Sequence, residues 1–320
     1  MPSICVVAGD PSGDAHGAHL VETLRRREPS LTVHALGGPK LRDAGAQLRE
    51  DLTQTAAIGP FDAARHIGRF THARATFAKH LATTRPDAVV LIDFGDFNLP
   101  FIAPLAKRAG CRVLYYISPQ LWAWGRFRLR WVRRYVDRMI VLFRFEEEFY
   151  RKASVPVTWV GHPLVDSARP AIDRDTAATQ LGVNPSRMTV GLLPGSRHGE
   201  VARHLPILLG AAKRIAWEMP GVQFLLPKAP QLPSRLFAAV DHAAPDILVS
   251  ENRMYDCLQV MDAAVVSSGT ATLETALFEV PMVVVYRTSW PPYLAAKSVV
   301  RIPHIAMVNV IAGRLVVPEF

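Results

Sequence analysis

The sequence predicts an α/β protein of two doubly wound domains, and three observations lead there. Apolar runs of strand length recur along all 320 residues, several ending in a small-residue turn that opens a helix. The length accommodates two such domains, each burying its own core. A Pro- and charge-rich stretch, Asp166 to Asp175, separates two series of these units, which sets the domains at 1–168 and 169–320.

Ser3 to Ala8 (SICVVA) reads as a buried strand, and Gly9 to Asp14 as a turn, before Ala18, Leu20, Val21 and Leu24 give helical spacing. Open α/β sheets bind ligands at the carboxyl ends of their strands, so Asp10, Asp14 and His16 are candidates for function. A tight turn with Asp14 as helix cap is the plainer reading. Val33 to Gly38 repeats the pattern, and Pro39 starts a helix where its missing amide does no harm. In residues 57–77, Phe61, Ile67, Phe70 and Phe77 are interleaved with Arg65, His66, Arg69, His72 and Arg74. That suits an amphipathic helix packed on the sheet, with an acidic membrane or a cleft as its other destination.

Ala88 to Ile92 is a central strand that delivers Asp93-Phe94-Gly95-Asp96-Phe97-Asn98 at its carboxyl end. Asp93 is the candidate base and Asp96 its competitor, while a capping Asp in a turn would account for one of them. Another strand, Arg112 to Ile117, leads into Ser118 to Trp124, where Trp122 and Trp124 suit a platform for a sugar or acyl surface or else loop packing. In residues 125–135 a helix would carry Arg126, Arg130, Arg133 and Arg134 on one face and Phe127, Trp131 and Tyr135 on another. Phosphate or a membrane surface fits that face better than nucleic acid, because no RNA-binding aromatic strand, zinc-finger spacing or basic arm accompanies it, and a plain solvated face is the other reading. Strand Arg138 to Leu142, helix Glu146 to Lys152 and strand Val157 to Val160 complete this half, ending in Gly161-His162-Pro163-Leu164.

The second half places strands at Thr189 to Leu193, Val222 to Leu226, Asp246 to Ser250, Ala263 to Ser267 and Pro281 to Tyr286. After the first of these, Pro194-Gly195 frees the backbone to approach an anion, Ser196 is placed to cap a helix, and Arg197 adds a fork for two phosphate oxygens, an ordinary strand-to-helix connection with a solvated Arg being the plainer reading. After the fourth, Ser268, Gly269 and Thr270 turn into a helix with Glu274 one turn in, placed for ribose hydroxyls. Two helix starts of this kind on one sheet edge suit a diphosphate.

A formal charge of +9 calls for an anionic partner: nucleic acid, a phosphorylated metabolite or an acidic membrane face. Cys5, Cys111 and Cys257 lie too far apart for a disulfide framework or a metal site, which suits a reducing compartment. No Asp-x-Asp pair accompanies the phosphate loops, so neither a metal nor another cofactor is expected. Met1 leads directly into a strand with no basic leader, and no apolar run reaches membrane-spanning length, which predicts a cytoplasmic protein.

The motifs AGDPSGDAHGA, LIDFGDFN, YYISPQLWAW, GHPL, LLPGSRHGEV, SSGTATLE, PMVVVY and NVIAGRLVVPEF, in that order, resemble the lipid-A-disaccharide synthase family over nearly the whole chain. The resemblance implies a type-B glycosyltransferase fold, two Rossmann-like domains facing a cleft. It implies inverting transfer of 2,3-diacylglucosamine from UDP to the 6-hydroxyl of 2,3-diacylglucosamine 1-phosphate, at the inner face of a Gram-negative inner membrane. By motif, Asp93 is the base, Arg197 and Glu274 hold UDP, and Asp10 and Asn309 line the cleft. Position 10 is Asp where the family pattern has Glu, and the family pattern continues past Phe320 into terminal helices, which bear on closure and on a homodimer. The competing expectations are a UDP-sugar 2-epimerase on the same fold and a non-catalytic binder of UDP-sugar or lipid phosphate.

Overall fold

The structure, a computed structural model, describes residues 1–53, 63–230, 232–243, 245–287 and 304–320. The chain forms two units, Met1–His162 and Pro163–Phe320. In the first, strands β1 (Ser3–Ala8), β2 (Thr32–Gly37), β3 (Gln47–Asp51), β4 (Ala88–Ile92), β5 (Arg112–Tyr116), β6 (Arg138–Val141) and β7 (Val157–Trp159) form one sheet in the order β3-β2-β1-β4-β5-β6-β7. All six pairings are parallel. A parallel sheet is covered by helices on both faces, so its inner strands are apolar on both. Along β1, Cys5 and Val7 enter one core cluster with Phe77, Leu91 and Tyr115, while Val6 and Ala8 enter another with Val21, Ala35 and Ile92.

Two local features depart from what the sequence predicts, and one predicted segment is only partly described. β3 was not expected, because QLRED is a polar edge strand whose pairing to β2 carries an irregularity between Ala35 and Leu36. Residues 57–62 of the basic, aromatic segment lie outside the described residues, and the segment continues into helix Ala63–Thr84, which buries Phe77 fully. The expected helix over 125–135 begins as a 3-10 turn at Arg126–Arg128 and is α-helical only over Leu129–Tyr135.

The second unit repeats the plan with β8 (Thr189–Leu193), β9 (Gln223–Lys228), β10 (Ile247–Glu251), β11 (Ala263–Ser267) and β12 (Met282–Val285), ordered β10-β9-β8-β11-β12 and parallel throughout. Residues 318–320 lie along the β12 edge. The Val284 amide donates to Pro318 O at 2.8 Å and the Phe320 amide to Val284 O at 2.9 Å, closing backbone groups that an edge strand would otherwise expose.

In both sheets the strand order reverses once, between β1 and β4 and between β8 and β11. Such switch points leave room for a ligand at the carboxyl ends of the strands. The loops that carry Asp10, Asp93, Arg197 and Ser268 leave those four strands. No described helix is long and apolar enough to cross a membrane.

Candidate active site

At the first switch point, Asp10 leaves β1 in extended conformation and its Oδ1 accepts the Gly13 amide at 2.8 Å, making it the N-cap of helix Pro11–Arg27. Asp14 does not cap its own helix. Buried at the base of the turn, it accepts amides from Gly38 (2.8 Å), Lys40 (3.0 Å) and Leu41 (3.2 Å), and so caps the next helix, Pro39–Asp43. His16 follows on the first helix, where burial lowers its imidazole pKa, the Asp10 charge opposing. His162 is held to about 4 by burial and by His16.

β4 ends abruptly. Asp93 (φ 41°) and Phe94 (φ 51°) are both left-handed, as is Ile117 (φ 62°) where β5 ends. Non-glycine residues held in this region cost on the order of 1–3 kcal/mol each, and such strain gathers at functional sites. Neighbouring groups enforce it. The Asp93 amide donates to Tyr116 O (3.3 Å) and Ile117 O (3.2 Å), and its carbonyl accepts the Tyr115 hydroxyl (2.5 Å) and Asn98 Nδ2 (2.9 Å). The Phe94 ring fills the space above Gly9, where a Cβ would stand 2.0 Å from Phe94 Cδ1. Gly95 is likewise pressed by Pro119, at 2.6 Å from where its Cβ would be. The exits of β1, β4 and β5 are therefore one packed assembly, with Asp93 at its centre.

Asp96 is in a different setting. Its carboxylate pairs with Arg128, a residue with no signal of its own in the sequence, whose guanidinium is buried and lies 4.3 Å from the centroid of the Trp124 ring. Trp122, expected with Trp124 on an acceptor or membrane surface, is instead only 9 % exposed, its ring edge-on to Phe145 at 4.9 Å. It packs the loop, and the exposed platform reduces to Trp124 and Phe127, the latter 62 % exposed. Beside Trp122 lies Glu146, whose carboxyl burial pushes up to about 7 although it accepts the Phe143 amide at 3.2 Å. Of the four arginines expected on the basic face, Arg133 turns back to donate to Ala153 O at 2.8 Å. Arg126, Arg130 and Arg134 lie over the rings of Phe149, Trp131 and Tyr135.

At the second switch point β8 runs into Pro194 and Gly195, the latter at φ 114°, a conformation only glycine adopts readily. A Cβ at Gly195 would stand 2.8 Å from Glu200 Oε2 and 3.2 Å from Ser267 Oγ, so this loop and the β11 exit touch. Ser196 is not the helix cap. Arg197, in extended conformation, occupies that position ahead of helix His198–Glu218, and Glu200 closes the turn. Its Oε2 accepts the amides of Ser196 and Arg197 at 3.3 Å each, and its Oε1 pairs with Arg197 Nη1 at 3.1 Å. Glu200 thus holds the groups assigned to phosphate, and Arg197 stays 79 % exposed. After β11, Gly269 opens helix Thr270–Leu277, and the Ser268 hydroxyl donates to Ile305 O at 3.3 Å. Glu274 accepts the hydroxyl of Tyr255 at 3.0 Å, a partner the sequence gave no sign of, and burial raises its carboxyl pKa. The Asn309 side chain is committed to the chain itself: Nδ2 donates to Val317 O (2.8 Å) and Glu319 Oε1 (2.6 Å), and Oδ1 accepts from Val316 (2.8 Å) and Val317 (3.0 Å). Fully buried, it shapes the segment next to Ser268 rather than presenting its amide.

Residues 4–320 match the family model for lipid-A-disaccharide synthetase. The chain is 44 % identical to the lipid-A-disaccharide synthase of Geobacter sulfurreducens over 317 residues, covering 99 % of this chain and 82 % of that one. The enzyme of that name from Syntrophus aciditrophicus is 42 % identical over 318 residues, with 99 % and 83 % covered. The chain belongs to the lipid-A-disaccharide synthase family. In fold, this member of the family is similar to the UDP-GlcNAc 2-epimerase of Neisseria meningitidis, at TM-score 0.59, 14 % identity and 98 % and 90 % coverage. It is similar also to MurG of Acinetobacter baumannii, at TM-score 0.54, 15 % identity and 93 % and 82 % coverage. These likenesses show the fold, two parallel-sheet α/β domains, while the family's chemistry rests on the sequence match.

Proposed function

We propose that the chain is an inverting glycosyltransferase that joins two diacylglucosamine units, taking one from UDP and adding it to the 6-hydroxyl of diacylglucosamine 1-phosphate. Beyond family membership, one observation carries the assignment: the predicted acid-base and anion-binding stretches leave the four strands that bracket the two switch points. Asp93 acts as general base. It takes the proton of the acceptor hydroxyl as that oxygen attacks the anomeric carbon and the bond to the diphosphate breaks. Asp93 stands where the exits of β1, β4 and β5 meet, whereas Asp96 anchors Arg128 in the loop after β5. Arg197 and the amides of Ser196, Gly269 and Thr270 take the charge that develops on departing UDP, and Glu274 receives the ribose. Binding the diphosphate requires Arg197 to exchange Glu200 for phosphate oxygens. Asp10, capping the first helix, fixes the turn that borders Asp93.

The acceptor and donor lipids lie in an acidic membrane surface, which the exposed Trp124 and Phe127 and the cations Arg126, Arg130 and Arg134 suit. Purified protein mixed with UDP-diacylglucosamine, with and without the lipid monosaccharide phosphate, tests the reading. Acceptor-dependent release of UDP with formation of the disaccharide supports it. Conversion of the UDP-sugar without acceptor would make the chain an epimerase, and binding without turnover would make it a carrier.

A further inference from the structure

His204 lies on helix His198–Glu218, almost fully buried, and both of its ring nitrogens meet backbone. The Arg287 amide donates to Nε2 at 3.0 Å, and Nδ1 lies 3.2 Å from Pro194 O. A backbone N–H can only donate, so Nε2 is the bare acceptor and Nδ1 carries the proton it gives to Pro194. The ring is neutral and in one tautomer. Pro194 leaves β8, and Arg287 follows the end of β12, with β11 between those two strands. The imidazole therefore spans the exit of β11, where the Ser268-Gly269 turn begins, and ties the strand exits on either side of it.

We propose that His204 is a positioning residue that fixes the Pro194-Gly195 backbone, and through it the amides and guanidinium of Ser196 and Arg197, in register with the β12 exit for nucleotide binding. This rests on the reading that the Pro194 to Arg197 loop holds the diphosphate. Losing both hydrogen bonds raises KM for the UDP-sugar and the Kd for UDP about tenfold, while kcat stays within about twofold. His204→Leu, in the full chain, is measured for both constants and for UDP binding by calorimetry. His204→Asn keeps a donor near Nδ1 and His204→Gln an acceptor near Nε2, so each recovers part of the loss and remains informative if the Leu variant fails to fold. Arg197→Ala is run in parallel. If Arg197→Ala abolishes UDP binding while folded His204 variants leave KM and Kd unchanged, the positioning role is overturned and the loop reading stands. If neither changes UDP binding, the loop reading falls first. A drop in kcat at constant KM also overturns the proposal, as does a nitrogen-15 spectrum of the histidines lacking a neutral Nδ1–H ring that His204→Gln removes.

Discussion

The Arg128 guanidinium holds the Asp96 carboxylate while packing against the Trp124 ring, and this pairing separates two aspartates that lie three positions apart in sequence. Asp93 sits at the left-handed end of β4 and is the base we propose; Asp96 anchors the loop that follows β5. Asp93→Asn removes basicity at constant shape. Its kcat should fall by about 10²–10⁴-fold with UDP binding nearly intact. Asp96→Asn should leave kcat within a few-fold and lower Tm slightly, because one partner of a partly exposed ion pair is lost. Steady-state kinetics on the two variants decide the matter, and the reverse pattern would move the base to Asp96.

Arg197 is exposed and, among the described residues, pairs with a carboxylate of its own helix turn, so its loss should cost function and not folding. Arg197→Ala is expected to slow turnover about a hundredfold or more, the size of one transition-state charge stabiliser. Arg197→Lys recovers part, since an ammonium lacks the planar fork. Thermal melts of both should superimpose on the parent, and near-parental turnover in the Ala variant would exclude the residue from the site.

Two buried groups set opposing dependences of stability on pH. Burial first, then the neighbouring His34 and Arg49, hold the His80 imidazole at about 4, with Thr84 Oγ1 2.8 Å from Nδ1. Its folded pKa lies below the ordinary imidazole value of 6.5, so the stability it contributes is present above that value and lost as pH falls from 6.5 through 4. Glu146 runs the other way. Raised from 4.5 to about 7, its contribution is complete below 4.5 and lost as pH rises through 7. Melting temperature against pH should lose part of its acid slope in His80→Gln and part of its decline toward 7 in Glu146→Gln. Unchanged slopes in either variant would contradict the assignment.

Attachment to membranes should be electrostatic and reversible. Each exposed arginine near an anionic surface contributes roughly 1 kcal/mol, screened as salt rises. Replacing Arg126, Arg130 and Arg134 together by Gln should release the protein from acidic vesicles in sedimentation assays. Arg133→Gln should act mainly on stability, since that side chain holds the Ala153 carbonyl. Equal binding to neutral vesicles, or indifference to salt, would sink this account.

The central strands were legible because parallel strands covered on both faces are near-continuous apolar runs, as in SICVVA and AVVLI. β3 was not, since QLRED at the edge shows neither apolar run nor alternation. The loops of the site were legible from strand, small-residue turn and helix in succession. Their internal wiring was not: Ser196 has the chemistry of a cap, yet the backbone puts Arg197 there and Glu200 closes the turn. Asn309 carried a recognisable motif, but its amide is used up by residues 316–319. Arg128, Tyr255 and His204 gave no local signal, because what defines each is a partner brought in by the fold from a distant part of the chain.

The Phe94 ring resting on Gly9 links the first loop of the chain to the residue beside the base. Any side chain at position 9 must displace that ring, and with it the left-handed turn that aims Asp93. A genetic selection for activity would therefore find second-site suppressors: the defect of Gly9→Ala should be recovered in part by Phe94→Leu, which cedes the space, and not by substitutions elsewhere on the first helix. That coupling makes the two positions a single heritable unit, although they follow different strands.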